Sequence, residues 1–203
     1  MRNFVFVSVC ALALVACNPQ AQQEADAPAE APLDLACAAF ADANGDSLAQ
    51  RFGADNLRDE TLPGVEGDEY QATVVYPDDR ARRIEVVWRD HAARSGVWQV
   101  TVSGDSSGWT GPSGVALGMS IDQIQAANGG PFTVTGFGWD MGGWVVDWRS
   151  GALAQNGCRI GMRFQPRGDY SGAAGDVRFA SDSAEMRAAD PRVMELSLGY
   201  PEQ

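Results

Sequence analysis

Asp46-Ser-Leu-Ala-Gln-Arg-Phe-Gly53 and Asp122-Gln-Ile-Gln-Ala-Ala-Asn-Gly129 stand in one register, 76 residues apart (46 to 122). The same spacing lays Arg83-Ile-Glu-Val-Val-Trp88 on Arg159-Ile-Gly-Met-Arg-Phe164. Two separate segments sharing one offset mark an internal repeat, and a repeat governs how the whole chain is read. Val74-Val75 meets Val145-Val146 after a small deletion, and Val100 to Ser106 meets Val177 to Ser183 one residue out of register.

Each half is expected to open with a short helix. In the second, Ser120 suits an N-cap, Ile121, Ile124 and Ala127 share a face, and Asn128-Gly129-Gly130-Pro131 stops the helix. In the first, Asp46 or Ser47 takes the cap, and Leu48, Ala49 and Phe52 form the apolar stripe. Period-two alternation follows: Ile84, Val86 and Trp88 against Arg83 and Glu85, then Ile160, Met162 and Phe164 against Arg159 and Arg163. Further strands are expected at 71–77, 97–103, 131–139, 144–148, 176–180 and 193–198, with Asp140-Met-Gly-Gly143 as a hairpin turn. Helices mixed with short strands, without βαβ spacing, predict an α+β fold in which two related halves, about 33–110 and 111–203, share one antiparallel sheet.

Composition excludes several chemistries. The 203 residues are 45% hydrophobic, above the range of disordered chains, so a folded core is expected. All 15 cations are Arg, which removes Schiff-base lysines, the Walker A lysine and Ser-x-x-Lys nucleophiles. A net charge of −12 speaks against nucleic acid as a partner, because its readers carry a basic footprint. With 1 His and 4 Cys, a zinc site of nitrogen and sulfur ligands falls short of its usual ligand count, and no cofactor is expected.

Residues 1–16, with Arg2 and an apolar run from Phe4 to Ala16, have the form of an export signal and are too short to span a bilayer. Leu14-Val15-Ala16-Cys17 resembles the bacterial lipobox. That resemblance implies cleavage before Cys17 and its diacylation, an anchor more durable than one acyl chain provides. Residues 17–32 then form a solvated tether of Ala, Gln, Glu and Pro ahead of a single domain, 33–203. By resemblance to Gram-negative lipoproteins, Asn18 rather than Asp after the lipidated cysteine implies the outer membrane, facing the periplasm or the cell surface. With Cys10 lost and Cys17 acylated, Cys37 and Cys158 either pair in an oxidising compartment or remain two buried thiols.

The run Leu117-Gly-Met-Ser-Ile-Asp-Gln-Ile-Gln-Ala-Ala-Asn-Gly-Gly-Pro131, with the aromatic strands after it, resembles the module of the β-lactamase inhibitor protein and of the small lipoprotein of the outer-membrane barrel-assembly machinery. The resemblance implies a helix before a hairpin and a sheet face that binds protein. Trp109-Thr-Gly-Pro-Ser-Gly, Asn128-Gly-Gly-Pro-Phe132 and Gly136-Phe-Gly-Trp-Asp140 with Gly142-Gly143 also resemble a family of bacterial exported proteins that carries no known activity.

Catalytic motifs are thin. Gly104-Asp-Ser106-Ser-Gly108 satisfies G-x-S-x-G, yet Trp109-Thr-Gly-Pro112 suits no helix after the serine and no histidine follows. His91 reads as a loop residue. Asp42-Ala-Asn44-Gly-Asp46 has the first oxygens of a calcium loop but Gly53 where the bidentate Glu belongs, so a helix-capping turn accounts for it better. The densest feature is Phe137, Trp139, Asp140, Trp144 and Trp148, interleaved with glycine. Alternation sets Phe137 and Trp139 on a face away from Phe132 and Val134, so these rings form either an exposed recognition patch or part of the core. The sequence thus points to a lipid-anchored, non-catalytic module that binds another envelope protein as inhibitor or scaffold. Binding of cell-wall carbohydrate through aromatics, or a hydrolase with paired carboxylates, are the alternatives.

Overall fold

The computed structural model describes residues 33–64 and 67–202. The expected signal peptide, Cys17 and the tether lie outside the described residues. Helices α1 (Gly45–Phe52), α2 (Ile121–Asn128) and α3 (Ala184–Ala189) accompany strands β1 (Leu33–Asp34), β2 (Leu57–Pro63), β3 (Glu69–Val75), β4 (Ile84–Asp90), β5 (Ser95–Ser103) and β6 (Trp109–Thr110). The remaining strands are β7 (Thr133–Thr135), β8 (Val145–Asp147), β9 (Arg159–Gln165), β10 (Arg178–Ala180) and β11 (Arg192–Gly199). The fold is mixed α+β with mostly antiparallel sheets.

Six strands lie in the order β2-β3-β4-β5-β11-β9, every neighbour antiparallel. A three-stranded sheet, β10-β7-β8, meets β9 through a bridge between Trp144 and Arg163, and β1 pairs with β6 in parallel. Registration fixes which side chains face the core. Val75, Ile84, Val102, Leu196 and Met162 form one row across five strands, and Val86, Val100, Leu198 and Ile160 form the next. These buried residues join Leu48 and Phe52 of α1, Ile121 and Ile124 of α2 and Met186 of α3 in one cluster.

The helices start where their caps are. Ser120 caps α2 by accepting from Gln123 N–H, and Gln123 Oε1 accepts from Ser120 N–H at 2.8 Å; Gly129 ends the helix in the left-handed conformation. For α1 the cap is Asn44, ahead of the expected Asp46 or Ser47, and Ser47 instead completes the reciprocal bond. That role also occupies the calcium-like stretch Asp42–Asp46.

Two expected strands are shorter than their patterns. The one expected at 131–139 stops at Thr135, because Phe137 N–H turns away to the Ala173 carbonyl at 2.8 Å. Its partner holds strand geometry only over 145–147. Cys37 and Cys158 are disulfide-bonded, with Cα atoms 5.6 Å apart.

Candidate binding face

The side of the six-stranded sheet away from the helices is built from the alternate residues of the same strands. Glu85, Thr101, Ser197 and Gly161 lie in one row across β4, β5, β11 and β9. Val87, Gln99, Gly199 and Arg159 form the next, and Ser103, Glu195 and Arg163 a third. In β5 the pairing shifts so that Trp98 is the extra residue opposite Val87 and Trp88. This bulge turns the indole onto the outer face beside Gln99, where it is 47% exposed.

The outer face is hollowed toward its β9 edge, over β5, β11 and β9. Gly161 and Gly199 carry no side chain, and a Cβ at Gly161 would collide with Ser197 Oγ. Trp98 and Trp144 wall the resulting depression of about 240 Å³, with Gln99, Arg159 and Ser197 supplying its polar groups. Trp144 is set by Thr135: Thr135 N–H donates to the Trp144 carbonyl at 2.9 Å, and Trp144 N–H donates to Thr135 Oγ1 at 2.9 Å. Arg163 lies 5.8 Å from the Trp144 ring centroid and donates to the Gly142 and Asp140 carbonyls, both at 2.9 Å, so the glycine turn is held down by its own guanidinium.

Two further depressions flank this one. One of about 420 Å³ is lined by Trp139, Asp140, Arg163 and Met194, and one of about 800 Å³ opens between β8 and β9 over Val146, Leu153 and Ile160. The face is polar toward its β2 side. Arg83 joins Glu60 and Glu85 at 3.3 and 3.1 Å, and Tyr70 donates to Glu85 at 3.0 Å. Burial first, then the Glu85 charge, pushes the Tyr70 hydroxyl well above its ordinary range. Burial likewise raises the Glu195 carboxyl; Arg163 pulls it down and Glu85 pushes it up.

The expected patch divides on this scaffold. Phe137 is only 2% exposed, its ring against Tyr170, and belongs to the core. Trp148 is half-buried, with its ring 5.0 Å from Phe132 and its Nε1 donating to the Ile160 carbonyl at 2.9 Å. Trp139 is half-buried and donates to the Gly136 carbonyl, Asp140 is exposed, and Trp144 alone reaches the tryptophan-walled depression. The residue the sequence reading missed is Trp98. Its signal was present: buried positions in β5 change from odd at Val97 to even at Val100 and Val102, and one extra residue is what changes that phase.

The catalytic lures separate in space. His91 precedes β5 and Ser106 follows it, and nine residues of strand put roughly 30 Å between them. Among the described residues Ser106 Oγ donates to its neighbour Asp105, at 3.1 Å, and to no general base.

Fold and site together define a mixed α+β protein whose antiparallel sheet carries a helix-covered face and a glycine-floored face walled by tryptophan. Comparison with protein-family models, with characterised proteins and with solved structures found no match.

Proposed function

We propose that the chain is a non-catalytic protein-binding module of the cell envelope, an inhibitor or scaffold, which docks its partner on the outer face of the six-stranded sheet. The observation that carries this reading is the pair Trp98 and Trp144 around a floor of Gly161, Gly199 and the small side chain of Ser197. Large rings at the rim supply anchor area, and bare backbone admits close approach of a partner chain. In the register of the repeat α1 falls on α2, β4 on β9 and β5 on β10; β9 and β11 of the second half lie beside β5 in the six-stranded sheet, whereas β7, β8 and β10 form the three-stranded one. This supports a duplicated molecule whose second half divides between the two sheets.

Trp98→Ala and Trp144→Ala are each expected to weaken partner binding by about 2 kcal/mol or more. A captured envelope protein should be lost from both variants while their denaturant melts stay close to the parent. Capture of the same protein by parent and variants alike would remove the docking face from this position. Stacking of a sugar on the same indoles, with Gln99, Arg159 and Ser197 as hydrogen-bond partners, is the second reading, and tryptophan fluorescence with cell-wall fragments tests it.

Anchoring by lipid at Cys17 belongs to the same proposal and rests on the Leu14-Val15-Ala16-Cys17 sequence. Among the described residues no helix is long and apolar enough to cross a membrane. Cys17→Ser should move the protein from the membrane to the soluble fraction; a variant still in membranes, alongside a parent without acyl label, refutes the anchor.

A further inference from the structure

We infer that the docking face reads one carboxylate: a Glu or Asp of the partner, flanked by an apolar residue on an extended segment, pairs with Arg159 while the apolar side chain enters the gap between β8 and β9. The inference rests on the proposed protein-binding role of this face and names what it binds.

Arg159 is exposed, and it forms no ion pair or side-chain hydrogen bond among the described residues. The other arginines of the sheet are occupied. Arg58 meets Glu60 and Asp78, Arg83 meets Glu60 and Glu85, Arg192 meets Asp190, and Arg163 is spent on two backbone carbonyls. A guanidinium left free beside two indoles presents a fork that matches a carboxylate in two parallel hydrogen bonds.

Position supplies the second half of the motif. Arg159 and Gly161 line both the tryptophan-walled depression and the gap between β8 and β9, so a ligand on the cation touches both. That gap exists because the chain is joined to β9 at Gly143–Phe164 and Trp144–Arg163, just ahead of β8, and β8 then parts from β9, with Val146 left 44% exposed beside Val145, Leu153 and Ile160. The chain's net charge of −12 repels acidic runs at long range, and exposed Asp147, which also lines the gap, repels a second acid there, whereas a lone carboxylate on Arg159 has that cation as its partner. The favoured segment therefore carries one acid rather than several.

The test is to pan the full chain against randomised peptides as long as β9, 7 residues, and to measure the enriched peptide by fluorescence polarisation. The consensus should hold one Asp or Glu next to an apolar residue. Arg159→Gln, and separately the acid-to-amide change in the peptide, should each weaken binding about tenfold or more, while Arg187→Gln on α3 binds as the parent does. A consensus without an acid, no enrichment at all, or full affinity in Arg159→Gln overturns the inference. Trp98→Ala separates the two levels. Binding lost with Trp98→Ala but kept with Arg159→Gln removes only the carboxylate, whereas binding kept in Trp98→Ala removes the docking face as well. A fluorescence change of the indoles with saccharides, with no peptide enriched, counts against both.

Discussion

Glu195 is the residue where the two uses of the sheet conflict. It points to the outer face between Ser103 of β5 and Arg163 of β9, in a strand whose neighbours Val193 and Leu196 are core. Burial lifts its carboxyl above the ordinary range, Arg163 opposes that, and Glu85 adds to it. A carboxyl whose pKa is higher folded than unfolded holds its extra proton in the fold. Its contribution is therefore complete below the ordinary carboxylate value and is lost as pH rises through the raised one. Glu195→Gln carries no such titration. Urea midpoints between about pH 4 and about pH 8 should show the variant gaining on the parent as pH rises; parallel curves would mean that Arg163 already cancels the burial. Asp59 runs the other way. Burial disfavours its charge, but Arg94 at 2.6 Å and the Thr73 hydroxyl at 2.7 Å hold the carboxyl below its ordinary value. The support it gives is present above the ordinary carboxylate value and lost as pH falls through the lowered one. Thr73 in turn accepts from buried Trp88 Nε1, so this titration reaches the core.

At the scale of elements, what the sequence disclosed depended on how much period each element could display. α2 announces itself because Ser120, the Ile121–Ile124 face and Gly129 agree on one helix. β4 and β9 alternate cleanly because one face is core. β2 was missed: Leu57-Arg-Asp-Glu-Thr-Leu-Pro63 is an edge strand, and the charges and proline that protect an edge erase the alternation that would reveal it. α3 was missed because its six residues complete fewer than two turns. The candidate site was half legible, since Trp144 stood in a visible cluster whereas Trp98 needed a bulge. The bridge that joins the two sheets depends on Gly143, which has φ +80° and whose missing Cβ would collide with the Phe164 carbonyl. Gly143→Ala should therefore cost about 2–4 kcal/mol. Gly130→Ala, with open space around it, should stay within about 0.5 kcal/mol. Equal urea midpoints for the two variants would show that the junction yields without cost.

The whole molecule is closed by connections that join distant parts of the chain. β11 lies between β5 and β9, so β9 joins the large sheet only when residues 192–199 are in place. Cys37 precedes α1 and Cys158 directly precedes β9, 121 residues along, so the disulfide ties the start of the described fold to the edge of the same sheet. Tyr200, just after β11, donates its hydroxyl to the Cys37 carbonyl at 3.0 Å and fixes the same corner. In the unfolded chain a cross-link over that span removes loop entropy equivalent to about 5 kcal/mol. Folded domains of ordinary size are stable by only about 5–15 kcal/mol, so the reduced protein should be marginal rather than merely weakened. Cys37→Ser with Cys158→Ser should lower the urea midpoint strongly, and reductant should shift the parent toward the variant without moving the variant itself. A midpoint unchanged by reductant would show that Tyr200 and the strands around it already hold the corner, and that the bridge adds nothing they do not supply.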